Sequence, residues 1–129
     1  MPGSEASTRQ VSVRVESQYS PEHSNAQQQQ WFFLYTVRIT NHSAETVQLL
    51  NRHWIITDAL GEVREVRGSG VVGRQPVLKT GESFEYTSGC PLPTPFGSMR
   101  GSYEMVTEHG ERFLAEVAPF MLRQADAYH

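Results

Sequence analysis

Three glycines, Gly68, Gly70 and Gly73, have the Gly-x-Gly-x-x-Gly spacing of loops that bind the pyrophosphate of a dinucleotide. In such loops a helix begins directly after the glycines, and its N-terminus faces the phosphates. Here Pro76 follows closely and favours an extended conformation for the residue before it. The next segment, VLKTGESFEY, is rich in strand-forming residues. The sequence therefore does not predict a dinucleotide-binding helix at this point.

Two interpretations of the glycine segment remain. Its backbone N–H groups can form an anion-binding nest, flanked by Arg67 and Arg74 as partners for phosphate oxygens. Alternatively, the glycines only permit positive φ angles in a long surface connection. We favour the second interpretation and keep the first as the alternative.

Cys90 is the only cysteine, and it lies in the proline-stiffened segment SGCPLPTP. A nucleophilic cysteine needs a nearby base and a lowered pKa. His53 and His109 fall in different predicted hairpins, and no spacing pairs either with Cys90. A packed, inert thiol is predicted. The isolated histidines and unclustered carboxylates predict neither a metal site nor a catalytic residue.

Composition limits the classes of partner. The chain has 129 residues, enough for one domain, and a formal net charge of −3, with 11 Lys and Arg against 14 Asp and Glu. The basic residues form no stripe, so neither nucleic acid nor a membrane surface is an expected partner. We expect no signal peptide, because the first ten residues hold no apolar segment. The sequence has no apolar run of the roughly 20 residues that span a bilayer, and its single cysteine cannot form an internal disulfide. We expect a cytoplasmic protein.

The elements that must position these residues are strands. Val11, Val13 and Val15 alternate with polar residues, and WFFLYTVRITN (31–41) is dense in aromatic and β-branched residues. Further strands are predicted at 47–58, 62–66, 83–87, 99–107 and 112–118, whereas the prolines of 91–97 exclude a helix or a central strand there. This pattern predicts an all-β, immunoglobulin- or fibronectin type III-like antiparallel β-sandwich of about seven strands, with a small barrel as the alternative. Residues 10–123 form the predicted domain, between a disordered N-terminal tail at 1–9 and a C-terminal tail at 124–129.

The motifs GxGVVGxQPxL (68–78) and GExFxYxSGCPLxTPxGxMxGxYxM (81–105), followed by GxxF (110–113), resemble the signature of the bacterial ApaG family. The resemblance implies a fibronectin type III-like sandwich without an established catalytic activity. Related domains occur in eukaryotic F-box proteins, which implies protein binding. The bacterial genes are associated with a diadenosine tetraphosphate hydrolase and with magnesium and cobalt sensitivity.

We therefore predict a non-catalytic module that binds a protein partner through a sheet edge or through the Gly/Pro-rich loops at 67–81 and 88–98. The candidate partner-binding residues are Gln75, Pro76, Ser88, Cys90, Pro91 and Leu92. One alternative is a polyphosphate or diadenosine polyphosphate site made by Arg67, Gly68, Gly70, Gly73 and Arg74. Another is a role in magnesium or cobalt homeostasis. No cofactor is expected, and the chain is predicted to be a monomer or a weak homodimer.

Overall fold

The structure, a computed structural model, describes residues 2–124. These residues form nine strands and two 3₁₀ turns, the turns being Pro21–His23 and Ala26–Gln28. The strands are β1 (Gly3–Thr8), β2 (Val11–Tyr19), β3 (Trp31–Asn41), β4 (Val47–Asp58), β5 (Val63–Ser69), β6 (Val77–Leu78), β7 (Ser83–Leu92), β8 (Phe96–Thr107) and β9 (Arg112–Arg123). No helix in this part of the chain is long and apolar enough to cross a membrane.

The strands form two antiparallel sheets that pack face to face. The first sheet has the order β1-β2-β3-β7, and the second has the order β5-β4-β8-β9 with the short β6 also paired to β4. The predicted antiparallel β-sandwich is thus confirmed, with β1 and β6 added to the strands that the sequence indicated. On one side the sheets are joined, because the Ser4 and Ser17 hydroxyls donate to carbonyls of β9, at Ala118 and Met121. On the other side, β5 and β7 are the edge strands.

The core forms where the inner faces of the two sheets meet. Val11, Val13 and Val15 of β2 are fully buried, as their alternation predicts. From the opposite sheet, Trp54 contributes the largest aromatic group, and it contacts Tyr35 of β3. The remaining buried apolar residues are Phe33, Val37, Ile39, Val47, Leu49, Ile56, Val71, Leu78, Tyr86, Cys90, Leu92, Met99, Tyr103, Met105, Ala115, Val117, Phe120 and Leu122.

Two prolines lie within strands, one in an edge strand and one at a bulge. Pro91 lies within β7, an edge strand, where a missing N–H on the open side costs no ladder hydrogen bond. Pro119 lies where β9 shifts register against β8, and this bulge lets β9 continue to Arg123, past the predicted end at 118. Both strands therefore extend further than the sequence indicated.

The prediction of a disordered tail at 1–9 is wrong, because residues 3–8 form β1, paired with β2 from Gly3↔Glu16 to Thr8↔Val11. Composition did not reveal this strand, since an edge strand is held by backbone hydrogen bonds and needs no apolar side chains of its own. At the other end, Gln124 follows β9, and residues 125–129 of the predicted C-terminal tail lie outside the described residues.

The pairing of β1 predicts an alternation in amide hydrogen exchange. The Ser17 amide donates to the Pro2 carbonyl, so the backbone groups of Ser4, Ala6 and Thr8 face β2 and those of residues 3, 5 and 7 face away. We expect the amides of Ser4, Ala6 and Thr8 to exchange at least about tenfold more slowly than those of Glu5 and Ser7. The measurement is NMR-detected exchange in D₂O, and uniformly fast exchange across 3–8 would contradict the assignment of this strand.

Candidate functional site

The glycine segment is the end of a strand followed by a tight turn. Gly68 belongs to β5 and pairs with Arg52 of β4. Gly70 leaves the strand with a φ of 65°, and a side chain there would also collide with the Arg74 carbonyl. The prediction that 67–81 is a loop is therefore wrong for residues 67–69, which complete the β4–β5 ladder, and for residues 77–78, which form β6 and pair with β4.

Most of the amides that could form an anion nest are used within the chain. The Gly70 amide donates to the Leu50 carbonyl at 2.8 Å, and Val71 and Arg74 exchange two hydrogen bonds at 2.8 and 2.9 Å across a turn. The two residues between them, Val72 and Gly73, have positive φ angles of 42° and 78°. The conformational interpretation of the glycines thus has direct geometric support.

The two flanking arginines do not converge on this turn. Arg67 lies on the outer face of the second sheet and donates to Glu65 at 3.4 Å. Arg74 is exposed and lines a separate groove beside Pro76 and Phe84. The polyphosphate alternative stays a prediction, and no observation favours it.

Gln75 and Pro76 attach the turn to β4. The Gln75 side chain donates to the Leu50 carbonyl at 2.9 Å, and the Gln75 carbonyl accepts from the Gln48 side chain at 3.1 Å. The Pro76 carbonyl accepts from the Leu49 amide at 3.0 Å. These contacts give both residues a role in positioning the turn.

The other predicted partner-binding residues belong to β7. Cys90 and Leu92 face the core, and Cys90 is 2% exposed. Burial raises the pKa of the Cys90 thiol to about 11, which supports the prediction of an inert thiol. Ser88 faces inward beside Tyr35, and Pro91 faces outward. The predicted loop at 88–98 is therefore wrong for residues 88–92, because they continue the pairing of β7 with β3. It is also wrong for residues 96–98, which begin the central strand β8 just after the prolines. A partner could not contact Cys90 or Leu92 without opening the sandwich.

In the part of the chain that the structure describes, the backbone of β7 is paired on one side only. The Asn41 amide donates to the Glu82 carbonyl, and the Ser20 amide donates to the Phe32 carbonyl, so the even-numbered residues of β3 face β2 and the odd-numbered residues face β7. The residues of β7 opposite the even-numbered positions consequently direct their N–H and C=O groups away from the sheet. These residues are Ser83, Glu85, Thr87, Gly89 and Pro91.

Within residues 2–124, no strand pairs with this side of β7. The edge has protective features only at its ends. Glu85 contributes a charge, paired with Arg38 at 3.3 Å, and the Pro91 carbonyl accepts from Arg64 of β5 at 3.0 Å. Between these ends, Thr87 and Gly89 present backbone groups that a further strand could pair with.

A polar slot lies behind this edge, between β7 and the inner side of β5. Arg64, Val66 and Gly68 of β5 share the side that faces β7; Val66 and Gly68 are partly buried, whereas Arg64 is exposed and reaches the Pro91 carbonyl. The Arg52 guanidinium rests against Gly68, and its Nη1 atom donates to the carbonyls of Ser69 and Gly70, both at 3.0 Å. The slot thus contains the guanidinium of Arg52, from β4, and the exposed Arg64 lies at its rim.

Two buried tyrosines, Tyr35 and Tyr86, lie behind the slot. Burial raises the pKa of Tyr35 and Tyr86 above the usual range, and the positive charge of Arg52 acts in the opposite direction on both. The Tyr86 and Tyr103 hydroxyls share a hydrogen bond of 2.5 Å in the interior. Arg52 is not among the residues that the sequence motifs indicate; its one signal in the sequence is that it is the only arginine of the apolar strand 47–58.

A separate group of polar side chains lines a groove of about 480 Å³ on the outer face of the second sheet. His53 shares a hydrogen bond of 2.7 Å with Glu65, and this bond is the main cause of the lowered pKa of that carboxyl. Ser102 is the β8 residue opposite His53, but among the described residues it makes no hydrogen bond to it. The backbone amides in the middle of this sheet are held in its ladders.

Among residues 2–124, no group of three His, Cys, Asp or Glu side chains is arranged to hold a metal ion. The link to magnesium or cobalt homeostasis stays a prediction.

Comparison with known proteins agrees with this geometry. The sequence profile of the ApaG domain matches residues 21–107. The protein named Protein ApaG from Rhodopseudomonas palustris is 59% identical over 117 residues, covering 91% of this chain and 90% of the relative. Its namesake from Bordetella pertussis is 54% identical over 119 residues, covering 92% and 91%. A crystal structure of the ApaA protein from Bordetella pertussis superposes with a TM-score of 0.88 at 54% identity, covering 90% of this chain and 94% of that one.

Proposed function

The chain belongs to the ApaG domain family, and we propose that it is a non-catalytic protein-recognition module. In this proposal it binds an extended segment of a partner along the open edge of β7. The observation that carries the proposal is the row of backbone groups at Glu85, Thr87 and Gly89, with which no strand of residues 2–124 pairs. Binding of this kind adds a strand to a sheet, and main-chain hydrogen bonds supply much of the affinity.

The surface beside the edge can contribute to specificity. A groove of about 680 Å³ extends from Gly73 to Phe84, next to the start of β7. Val77 lines it with 55% of its surface exposed, and Val72 is exposed at the tip of the neighbouring turn. An added strand would present alternate side chains to such flanking surfaces.

The test is a proline at the centre of the edge. Thr87→Pro removes the outward N–H and places a ring where a partner strand must approach, while the ladder to β3 keeps its hydrogen bonds. Pro91 already occupies the equivalent orientation in the same strand. We expect peptides selected from a displayed library of random twelve-residue sequences to bind Thr87→Pro at least about tenfold more weakly than the unaltered chain.

Thr87→Val is the matched control. Both substitutions remove the hydrogen bond between the Thr87 and Thr36 hydroxyls, but valine keeps the amide. Its affinity should stay within about twofold of that of the unaltered chain, and bound peptide should shift the amide resonances of Glu85, Thr87 and Gly89. Equal binding to all three proteins, or no selected peptide that shifts these amides, would refute strand addition at β7.

A further inference from the structure

We infer that the segment added to β7 carries a carboxylate side chain that pairs with Arg52. This inference rests on the proposed strand addition and concerns the chemistry of the partner. Its first support is charge. Among the described residues no carboxylate lies within ion-pair distance of Arg52. Exposed arginines such as Arg14 and Arg100 are also without a carboxylate, but Arg52 is half-buried, so water compensates its charge less.

The second support is the state of the Arg52 guanidinium. Its side chain is half-buried on the inner face, and Nη1 makes both of its hydrogen bonds. In the described chain, Nε and Nη2 have no acceptor. A half-buried guanidinium favours a carboxylate over a neutral acceptor, because charge-assisted hydrogen bonds are stronger and a carboxylate matches its planar donors.

The third support is the position of the slot relative to the edge. The hydrogen bond from Arg64 to the Pro91 carbonyl shows that β5 lies across from the open side of β7. Side chains on alternate residues of an added strand would therefore face the β5 wall, at Val66 and Gly68. Gly68 has no side chain, and any Cβ there would collide with the Arg52 guanidinium, so the arginine occupies this part of the wall.

The same chemistry argues against a second copy of this chain as the occupant. Pairing of β7 with β7 of another copy would direct only its inner side chains toward the slot. These are Phe84, Tyr86, Ser88, Cys90 and Leu92, none of which is acidic. Two cationic slots would also be brought together. The occupant that fits is a different protein with an extended segment in which Asp or Glu falls on the inward side.

The test uses the peptides selected from the displayed library on the unaltered chain. Selected sequences should contain Asp or Glu, and replacing that residue with Asn or Gln should weaken binding at least about tenfold, or about 1.4 kcal/mol. On Arg52→Gln the same peptide change should alter binding less than about twofold, while Arg52→Lys should restore part of the discrimination. Arg74→Gln, which removes an exposed cation outside the slot, should behave like the unaltered chain.

A measurement on the unaltered chain covers the case in which Arg52→Gln does not fold. The Arg52 Nε–H resonance should shift when the acidic peptide binds. It should not shift when the peptide variant with Asn or Gln in place of the acid is added. If binding depends on the Thr87 amide but is indifferent to the peptide acid or to Arg52, the carboxylate inference is wrong and the proposed function stands. If selected peptides bind Thr87→Pro as well as Thr87→Val, the proposed function fails and the inference fails with it.

Discussion

Replacing Trp54 with alanine is expected to lower the free energy of unfolding by about 4 kcal/mol. Trp54 is 3% exposed and lies on β4 between β5 and β8. Its indole makes edge contacts with the rings of Tyr35, Tyr103 and Phe120 at centroid distances of 5.4, 5.9 and 6.0 Å. Alanine would leave a cavity between both sheets, since strands held in ladders on either side cannot close over it. Urea unfolding, followed by circular dichroism, measures the loss.

Two further variants test whether the cavity causes the loss of stability in Trp54→Ala. Trp54→Phe removes an indole N–H that is buried without an acceptor among the described residues, so it should cost less than about 2 kcal/mol. Leu114→Ala, on the outer face with 58% of the residue exposed, should change the stability by less than about 0.5 kcal/mol. A cost for Trp54→Ala near that of Leu114→Ala would show that the sheets do not pack through this residue.

Gly101→Ala is expected to cost about 3 kcal/mol, although only one methyl group is added. Gly101 is on β8, paired with Trp54 on one side and Val117 on the other. A Cβ at this position would collide with the carbonyl oxygen of His53. Because β8 is hydrogen-bonded to both neighbours, neither backbone can retreat without loss of ladder hydrogen bonds.

The neighbouring residue supplies the control. Ser102 faces the outer groove, so Ser102→Ala should alter the free energy of unfolding by no more than about 0.5 kcal/mol. The two variants are compared by urea unfolding, and by the spread of amide resonances along β4 and β9. A Gly101→Ala protein as stable as Ser102→Ala would mean that β4 and β8 lie further apart than the structure places them.

The alternation of apolar and polar residues in the sequence is sufficient to predict the fold class and most of the strands. The patterns at Val11, Val13 and Val15 and along 31–39 correspond to buried faces, because side chains of period two must face a core on one side. The family signature was equally local, since its glycines and prolines mark turns and edges. Strand β1 shows no such alternation of apolar residues, because pairing of its backbone groups with β2 holds it in place.

The candidate site was only partly accessible to such reasoning. Ser88 and Pro91 were singled out, but as members of a loop. Their places on an edge strand depend on which strand β7 pairs with, and pairing between residues about fifty positions apart leaves no local pattern. The openness of the edge, on which the proposed function rests, is likewise a property of strand order.

The order of residues alone is enough to predict an antiparallel sandwich with a glycine segment unsuited to a dinucleotide helix. Which polar side chains face inward depends on how the strands pair in three dimensions. A bulge between Leu49 and Asn51 shifts the alternation of β4, so that Arg52, Trp54 and Ile56 share the inner face with Val47 and Leu49. Strict alternation would have placed Arg52 in solvent. One extra residue in the strand reverses that assignment, because side chains point to opposite faces at successive positions.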